Sequence, residues 1–156
     1  MEPIKNIALV AHDRRKKDMV EWVEWNWGIL AQHKLICTGT TGKLVEQALI
    51  KKIGKDRFLK SKITKLKSGP LGGDQQLGAM VADGKIDFIV FLWDPMQPHP
   101  HDVDVKALLR ISVLYNVPIA CNRSTADFMI SSHLMNEEYH PIIKDYSTYT
   151  NRKLSI

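Results

Sequence analysis

The sequence has no long apolar segment. No stretch approaches the ~20 consecutive apolar residues that a membrane-spanning helix needs. The first residues, MEPIKNIALVAHD, lack the basic region, apolar stretch and small-residue cleavage site of a secretory signal. Cysteine is scarce as well, and both Cys37 and Cys121 lie in short apolar segments. We therefore exclude a disulfide framework and a membrane partner, and we expect a cytoplasmic protein.

The most basic stretch of the chain lacks the aromatic ladder that stacks bases. The net charge is +5 and the pI is about 9.2, which suits an anionic partner. Much of the excess lies in residues 51–67, KKIGKDRFLKSKITKLK, which resemble a loop and contain no nucleic-acid motif. This stretch predicts a solvated lysine-rich surface, and we expect no nucleic-acid partner.

Short apolar runs alternate with segments of helical period along the 156 residues. This alternation predicts one α/β domain spanning residues 1–156, with a doubly wound, Rossmann-like, mostly parallel five-stranded sheet and helices on both faces. The predicted strands are 6–11, 34–38, 63–66, 87–93 and 117–121. The predicted helices are 14–32, 41–53, 74–83, 103–115 and 124–132.

The loops after the five predicted strands are rich in polar, glycine or ionisable residues. Ligands of open parallel sheets bind outside the carboxyl ends of the strands. We therefore expect all five loops to converge on one site. In chain order they are AHDRRK, TGTTGK, SGPLGGDQQ, DPMQPHPHDVD and NRSTAD.

The loop TGTTGK places three hydroxyls, on Thr38, Thr40 and Thr41, at a strand-to-helix turn. Hydroxyls and backbone N–H groups can encircle a phosphate or carboxylate there. The glycine spacing is not that of a Walker A sequence, and Lys43 is not followed by Ser or Thr. The alternative is that Thr40 or Thr41 only caps the helix.

Cations follow the first strand in the segment AHDRRKK. Lys16 lies one helical turn after Asp13, and Arg14 and Arg15 are close by. Cations are slightly unfavourable in the first turn of a helix, so a bound anion would explain them. The alternative is that Asp13 caps the helix and the cations only decorate it.

Asp74 ends the glycine-rich turn SGPLGG, where a helix is predicted to begin. Beside a phosphate site, its carboxylate is suited to remove a proton α to a carbonyl in a phosphorylated sugar. Nearby N–H dipoles are expected to keep it ionised. The alternative is that Asp74 caps its helix.

The segment PHPHDVDVKALLR groups His99, His101, Asp102 and Asp104 before an amphipathic helix. A metal site is weakly supported because no distant cysteine or histidine pair accompanies them, and we expect none. In a second interpretation Asp102 caps the helix and His101 is a surface residue. In a third, His101 is an acid, base or electrophile, and Asp104 orients it or shares a proton with it.

The blocks ALVAHD, TGTTG, SGPLGGDQQLGA, WDP, HDVDVKALLR and STADF resemble the bacterial methylglyoxal synthase family, in the family's order, from residue 6 to about 150. The resemblance implies conversion of dihydroxyacetone phosphate to methylglyoxal and inorganic phosphate without a cofactor. It implies that Asp74 is the catalytic base, with His101 and Asp104 as further catalytic residues. The implied substrate and phosphate contacts are His12, Lys16, Thr38, Gly39, Thr40, Thr41, Ser68 and Gly69.

The resemblance also implies a homohexamer that phosphate inhibits, in which Asp13 and Arg110 belong to subunit contacts or allosteric communication. Arg152 and Lys153 compete for the family's C-terminal arginine, and the lysine-rich region is longer than in common members. The same fold also occurs as a regulatory module that binds an anion without reaction. The joint presence of Asp74, His101 and Asp104 favours the enzyme over such a module.

Overall fold

The computed structural model describes residues 1–58, 63–98 and 100–152. These ranges contain one five-stranded sheet of order β3-β2-β1-β4-β5, and every neighbouring pair is parallel. The strands are β1 (Asn6–Ala11), β2 (Lys34–Thr38), β3 (Ile63–Leu66), β4 (Phe88–Leu92) and β5 (Ile119–Ala120). The predicted α/β fold is confirmed, with a wholly rather than mostly parallel sheet.

The helices follow the predicted alternation, with one clear exception. The α-helices of the described ranges are α1 (Lys16–Trp25), α2 (Trp27–Leu30), α3 (Gly39–Ile53), α4 (Lys55–Phe58), α5 (Gly73–Ala82), α6 (Asp102–Leu114), α7 (Arg123–Ile130) and α8 (Ser147–Thr150). The single helix predicted over 14–32 is wrong, because the chain breaks at Asn26. Its side-chain Nδ2 donates to the carbonyl of Trp22 at 2.9 Å, and such side-chain bonds compete with helix continuation.

Two other predictions also need correction. The lysine-rich stretch 51–67 is not a simple loop: the end of α3 at Ile53 and β3 lie in it where they were predicted, and the helix α4 was not predicted. Residues 59–62 of that stretch lie outside the described residues. The strand predicted over 117–121 pairs only as β5, because Pro118 accepts a hydrogen bond from Ile89 N but has no N–H to donate to a ladder.

Alternate residues of β1 enter two different cores. Ile7 and Leu9 belong to a cluster that includes Trp22 of α1, whereas Ala8 and Val10 belong to a cluster with α5 and α6. Successive strand side chains point to opposite faces, so β1 is buried on both sides. The apolar strands therefore pack between two layers of helices, and the polar loops lie at the strand ends.

In the described part of the chain, no helix combines the length and apolarity needed to cross a bilayer.

The amino edge of the sheet holds three buried titratable side chains, Lys5, His33 and Asp87. The backbone N–H of Lys5 donates to His33 Nδ1 at 3.2 Å, and Asp87 accepts from Asn6 N at 2.6 Å. Burial lowers the pKa of His33 below its usual 6.5; the Lys5 ammonium lowers it further and Asp87 opposes the shift. The neutral imidazole is therefore the form that fits the folded protein.

Protonation of His33 at acidic pH should lower the free energy of unfolding. The unfolded chain binds the proton more readily, so this contribution to stability is complete above the unfolded pKa and is lost as pH falls through it. We expect His33→Asn, whose Oδ1 can still accept from Lys5 N, to flatten the decline in the free energy of unfolding between about pH 7 and pH 5. Urea denaturation at each pH measures it. The exposed His140 supplies the control His140→Asn, which should keep the wild-type slope; equal slopes for wild type and His33→Asn would contradict the assignment.

Candidate active site

A cleft of about 100 Å³ opens at the carboxyl edge of the sheet. The loops after β1, β2 and β3 form it, together with His101 before α6. It gathers every predicted site residue except Asp104 and Arg110, namely His12, Asp13, Lys16, Thr38, Gly39, Thr40, Thr41, Ser68, Gly69, Asp74 and His101. Val10, Ala11 and Pro70 also line it and were not predicted, since apolar residues carry no chemical signal.

The two remaining predicted residues lie in an adjoining groove between α5 and α6. Asp104 and Arg110 line this groove together with Asp74, Gln75 and Gly78. Asp74 thus lines both the cleft and the groove, whereas Asp104 lines the groove. The predicted grouping of Asp104 with Asp74 is present, but Asp104 does not line the cleft itself.

The fifth loop does not join the cleft, so the expected convergence of all five loops is wrong. Asp127 of α7 accepts a hydrogen bond from Trp22 Nε1 at 2.8 Å, which holds the middle of α7 against α1. Arg123 and Asp127 instead line a separate groove with Trp25 and Phe128.

One end of the cleft is suited to an anion. Lys16 Nζ donates to the Asp13 carboxylate and to the Thr40 hydroxyl. Helix α3 begins here without a side-chain cap, so the alternative in which a threonine only caps it is wrong. Thr41 Oγ1 donates to Ala11 O at 3.4 Å. The first N–H groups of a helix lack intrahelical acceptors and favour negative charge, so α3 and Lys16 act in the same direction.

Asp13 is the first residue of the short 3-10 helix Asp13–Arg15 rather than its cap, since the N-cap position is His12.

Two loops pack backbone against backbone beside this end. Gly39 N donates to Lys67 O at 3.1 Å, and a Cβ on Gly39 would lie 2.7 Å from the Cα of Ser68. A Cβ on Gly73 would lie 2.1 Å from Lys67 O. Side chains at these two positions would therefore push the glycine turn off α3 and α5.

Asp74 lies at the other end of the cleft and is only 4% exposed. It is the second residue of α5 and makes no capping bond, so the capping alternative is wrong. A Cβ on Gly69 would lie 2.9 Å from Asp74 Oδ2 and 3.3 Å from His101 Nε2. Oδ2 lies 3.8 Å from His101 Nε2, too far for a hydrogen bond, and accepts none within the described ranges.

Burial raises the pKa of Asp74; His101 opposes the rise and the Asp104 carboxylate adds to it. The N–H dipoles that were expected to keep it ionised do not lower its pKa, because desolvation of the charged form is the largest cause and raises it. A higher pKa makes the carboxylate a stronger base.

His101 precedes α6 with a side chain only 11% exposed, so the surface interpretation is wrong. Asp102 is the first residue of α6 rather than its cap. Among the described residues, no three His, Cys, Asp or Glu side chains are grouped to hold a metal ion. His99, which the metal interpretation included, lies outside the described residues.

His12 is 7% exposed and stands edge-on to His101, with ring centroids 5.5 Å apart. Its Nδ1 accepts from the backbone N–H of Asp94 at 3.2 Å. Asp94 was not predicted as a site residue, although its position in the loop after β4, two residues beyond Leu92, is a signal for one.

At the C-terminus, the Arg152 guanidinium lies 4.2 Å from the centre of the Tyr149 ring. Lys153 lies outside the described residues, so the choice between them stays open.

The parallel sheet and the polar cleft at its carboxyl edge define a doubly wound α/β protein with a candidate ligand site at the strand ends. A family model described as "MGS-like domain" matches residues 18–121, and the chain belongs to the methylglyoxal synthase family. Methylglyoxal synthase of Maridesulfovibrio salexigens is 54% identical, over 99% of this chain and 100% of its own. That of Coxiella burnetii is 48% identical, over 96% and 97%. A crystal structure of methylglyoxal synthase from Elizabethkingia anophelis has a TM-score of 0.86 and 47% identity, over 99% and 95% of the chains.

Removing the negative charge of Asp104 should lower the pKa of Asp74. Asp104→Asn deletes the nearby like charge, so the charged form of Asp74 becomes less unfavourable. We expect a pH titration of the Asp74 carboxyl by 13C NMR to show a lower pKa in this variant. Asp102→Asn, on the same helix, is the matched control and should leave the Asp74 titration in place. An unchanged or higher pKa in Asp104→Asn would refute the coupling.

Proposed function

We propose that this chain is a phosphate-eliminating lyase that converts dihydroxyacetone phosphate to methylglyoxal and inorganic phosphate. The observation that best supports this proposal is the buried Asp74 carboxylate, whose Oδ2 accepts no hydrogen bond among the described residues. It lines the same cleft as the Lys16 side chain and the start of α3, which are suited to bind an anion. A base and a phosphate site in one cleft are the requirements for removing a proton α to a carbonyl in a phosphorylated substrate. The names of the relatives support this assignment.

The proposal assigns one or more groups of the cleft to each step. Lys16 and the N–H groups of Thr40 and Thr41 in the first turn of α3 hold the phosphate, since the N–H of Gly39 already donates to Lys67 O. Asp74 takes a proton from the hydroxymethyl carbon, and the C–H electron pair forms an enediolate whose oxygens His101 stabilises. The hydroxyl on that carbon then passes its proton to the departing phosphate, its electrons form the aldehyde, and phosphate leaves with the C–O bonding pair. The resulting enolate takes up one proton at its terminal carbon to become methylglyoxal, which balances the proton that Asp74 gives up to complete the cycle.

Asp104 acts on this chemistry through Asp74, because it faces that carboxylate from the groove and raises its pKa. Ser68, Gly69 and the threonines contact the substrate. We further propose that residues 1–156 form one cytoplasmic domain that needs no cofactor. The domain assembles as a homohexamer, with Asp13 and Arg110 at subunit or regulatory contacts, and phosphate inhibits it.

A second candidate function is a regulatory module that binds an anion without reaction. The anion-binding end of the cleft alone would suffice for it, since Lys16 and α3 bind without chemistry. The buried carboxylate beside that end favours the enzyme.

Turnover should depend on Asp74 while phosphate binding does not. With dihydroxyacetone phosphate, we expect the wild type to release methylglyoxal and phosphate in equal amounts. Asp74→Asn keeps the shape but removes the base, so turnover should fall by about 10²–10⁴-fold. Calorimetry should show that inorganic phosphate still binds the variant. Full activity in Asp74→Asn would eliminate it as the base, and a wild type that binds phosphate but releases none from the substrate would establish the regulatory module.

A methyl group at residue 69 should damage catalysis more than folding. Gly69→Ala places a Cβ 2.9 Å from Asp74 Oδ2, so the carboxylate or His101 must shift by some tenths of an ångström. We expect kcat/KM to fall at least about tenfold, since small misplacements of reacting groups are costly. Gly28→Ala is the control, because a Cβ there meets no atom within 4 Å. Equal kcat/KM for both variants would mean that the close approach at Gly69 is not needed.

A further inference from the structure

The hydrogen bonds between β1 and β4 continue for one residue past β1, and after that residue the backbone of the two segments no longer pairs. His12 N donates to Leu92 O at 3.2 Å. In a continued parallel ladder, the carbonyl of His12 would accept from the N–H of Asp94. That carbonyl instead accepts from Arg15 N at 2.9 Å, which begins the 3-10 turn. The N–H of Asp94 donates to the imidazole Nδ1 of His12 instead. The His12 side chain thus takes the place of the His12 carbonyl as the acceptor in the ladder.

This substitution decides where the imidazole carries its proton. A backbone N–H is always a donor, so the Nδ1 that accepts from it is unprotonated. The neutral ring then carries its hydrogen on Nε2. Phe91 packs against the ring with centroids 5.2 Å apart at 86°, and the residue is 7% exposed, so the ring is held in this orientation.

We propose that Asp94 is a positioning residue that fixes His12 as the neutral Nε2–H tautomer, so that His12 serves the cleft as a hydrogen-bond donor rather than as a base or a cation. Asp94 Oδ1 accepts from Met96 N at 3.1 Å, which folds the chain after β4 so that the Asp94 N–H faces the imidazole. The titratable and charged side chains around His12 come from four parts of the fold: Asp13 and Lys16, Asp74, Asp94, and His101.

This role rests on the proposed function only for its effect on the substrate. Lys16 is then the cation for a phosphate group, and His12 adds a directional N–H that does not depend on its own charge. His12 is thereby excluded as a second base beside Asp74.

The tautomer can be observed directly in the full-length wild-type protein. Long-range 1H–15N spectra of 15N-histidine-labelled protein distinguish the two neutral tautomers and the cation. The signals of His12 are identified by their loss in His12→Gln. His33 is the internal reference, because its Nδ1 also accepts a backbone N–H, that of Lys5. We expect both rings to show Nε2–H with an unprotonated Nδ1 at neutral pH. A His12 ring protonated on Nδ1, or on both nitrogens, would overturn the proposal.

A binding comparison tests the donor role. The Oδ1 of His12→Asn can accept from Asp94 N but supplies no donor at the position of Nε2, whereas His12→Gln extends an amide N–H that far. We expect His12→Asn to weaken the binding of inorganic phosphate about tenfold, and clearly more than His12→Gln does. Equal weakening by both variants would overturn the donor role. Failure of the wild type to bind phosphate would count against the proposed function instead, and the NMR result would stand independently.

Discussion

The close approach of the glycine turn to Asp74 is the constraint on which the cleft depends. Burial of a carboxylate is unfavourable unless its surroundings compensate. Here Gly69 lets the backbone lie against Asp74, and Gly73 lets α5 begin directly beneath Lys67 O. The turn is held in place by the parallel strands, because the loops that form the cleft leave β1, β2 and β3 at one edge. A buried and more basic carboxylate therefore follows from tight backbone packing.

The cleft separates two electrostatic tasks. At one end Lys16 and the first turn of α3 favour negative charge. At the other end burial and Asp104 make the Asp74 carboxyl more basic than usual. His12 and His101 line the same cleft with their rings edge to face. A phosphorylated substrate can thus be held by its phosphate while its carbon chain meets the base, and this division underlies the proposed elimination.

The sequence predicted the sheet well because its strands are buried on both faces and read as continuous apolar runs. The bounds of β1, β2 and β3 agree with prediction, and the motif-based family assignment is confirmed. The break at Asn26 was missed because a side-chain hydrogen bond decides it. The direction of the Asp74 pKa shift and the place of Asp104 depend on how α5 and α6 pack, which no local pattern contains. The roles assigned to the cleft residues stay predictions.

The most direct measurement is a single-turnover isotope experiment on the proposed proton abstraction. Dihydroxyacetone phosphate carrying deuterium at the hydroxymethyl carbon is mixed with excess protein, and methylglyoxal formation is followed over time. If Asp74 breaks that C–H bond, the deuterated substrate should react severalfold more slowly, and the aldehyde of the product should retain one deuterium. Equal single-turnover rates for the two substrates, or a product aldehyde without deuterium, would contradict removal of a proton from that carbon by Asp74.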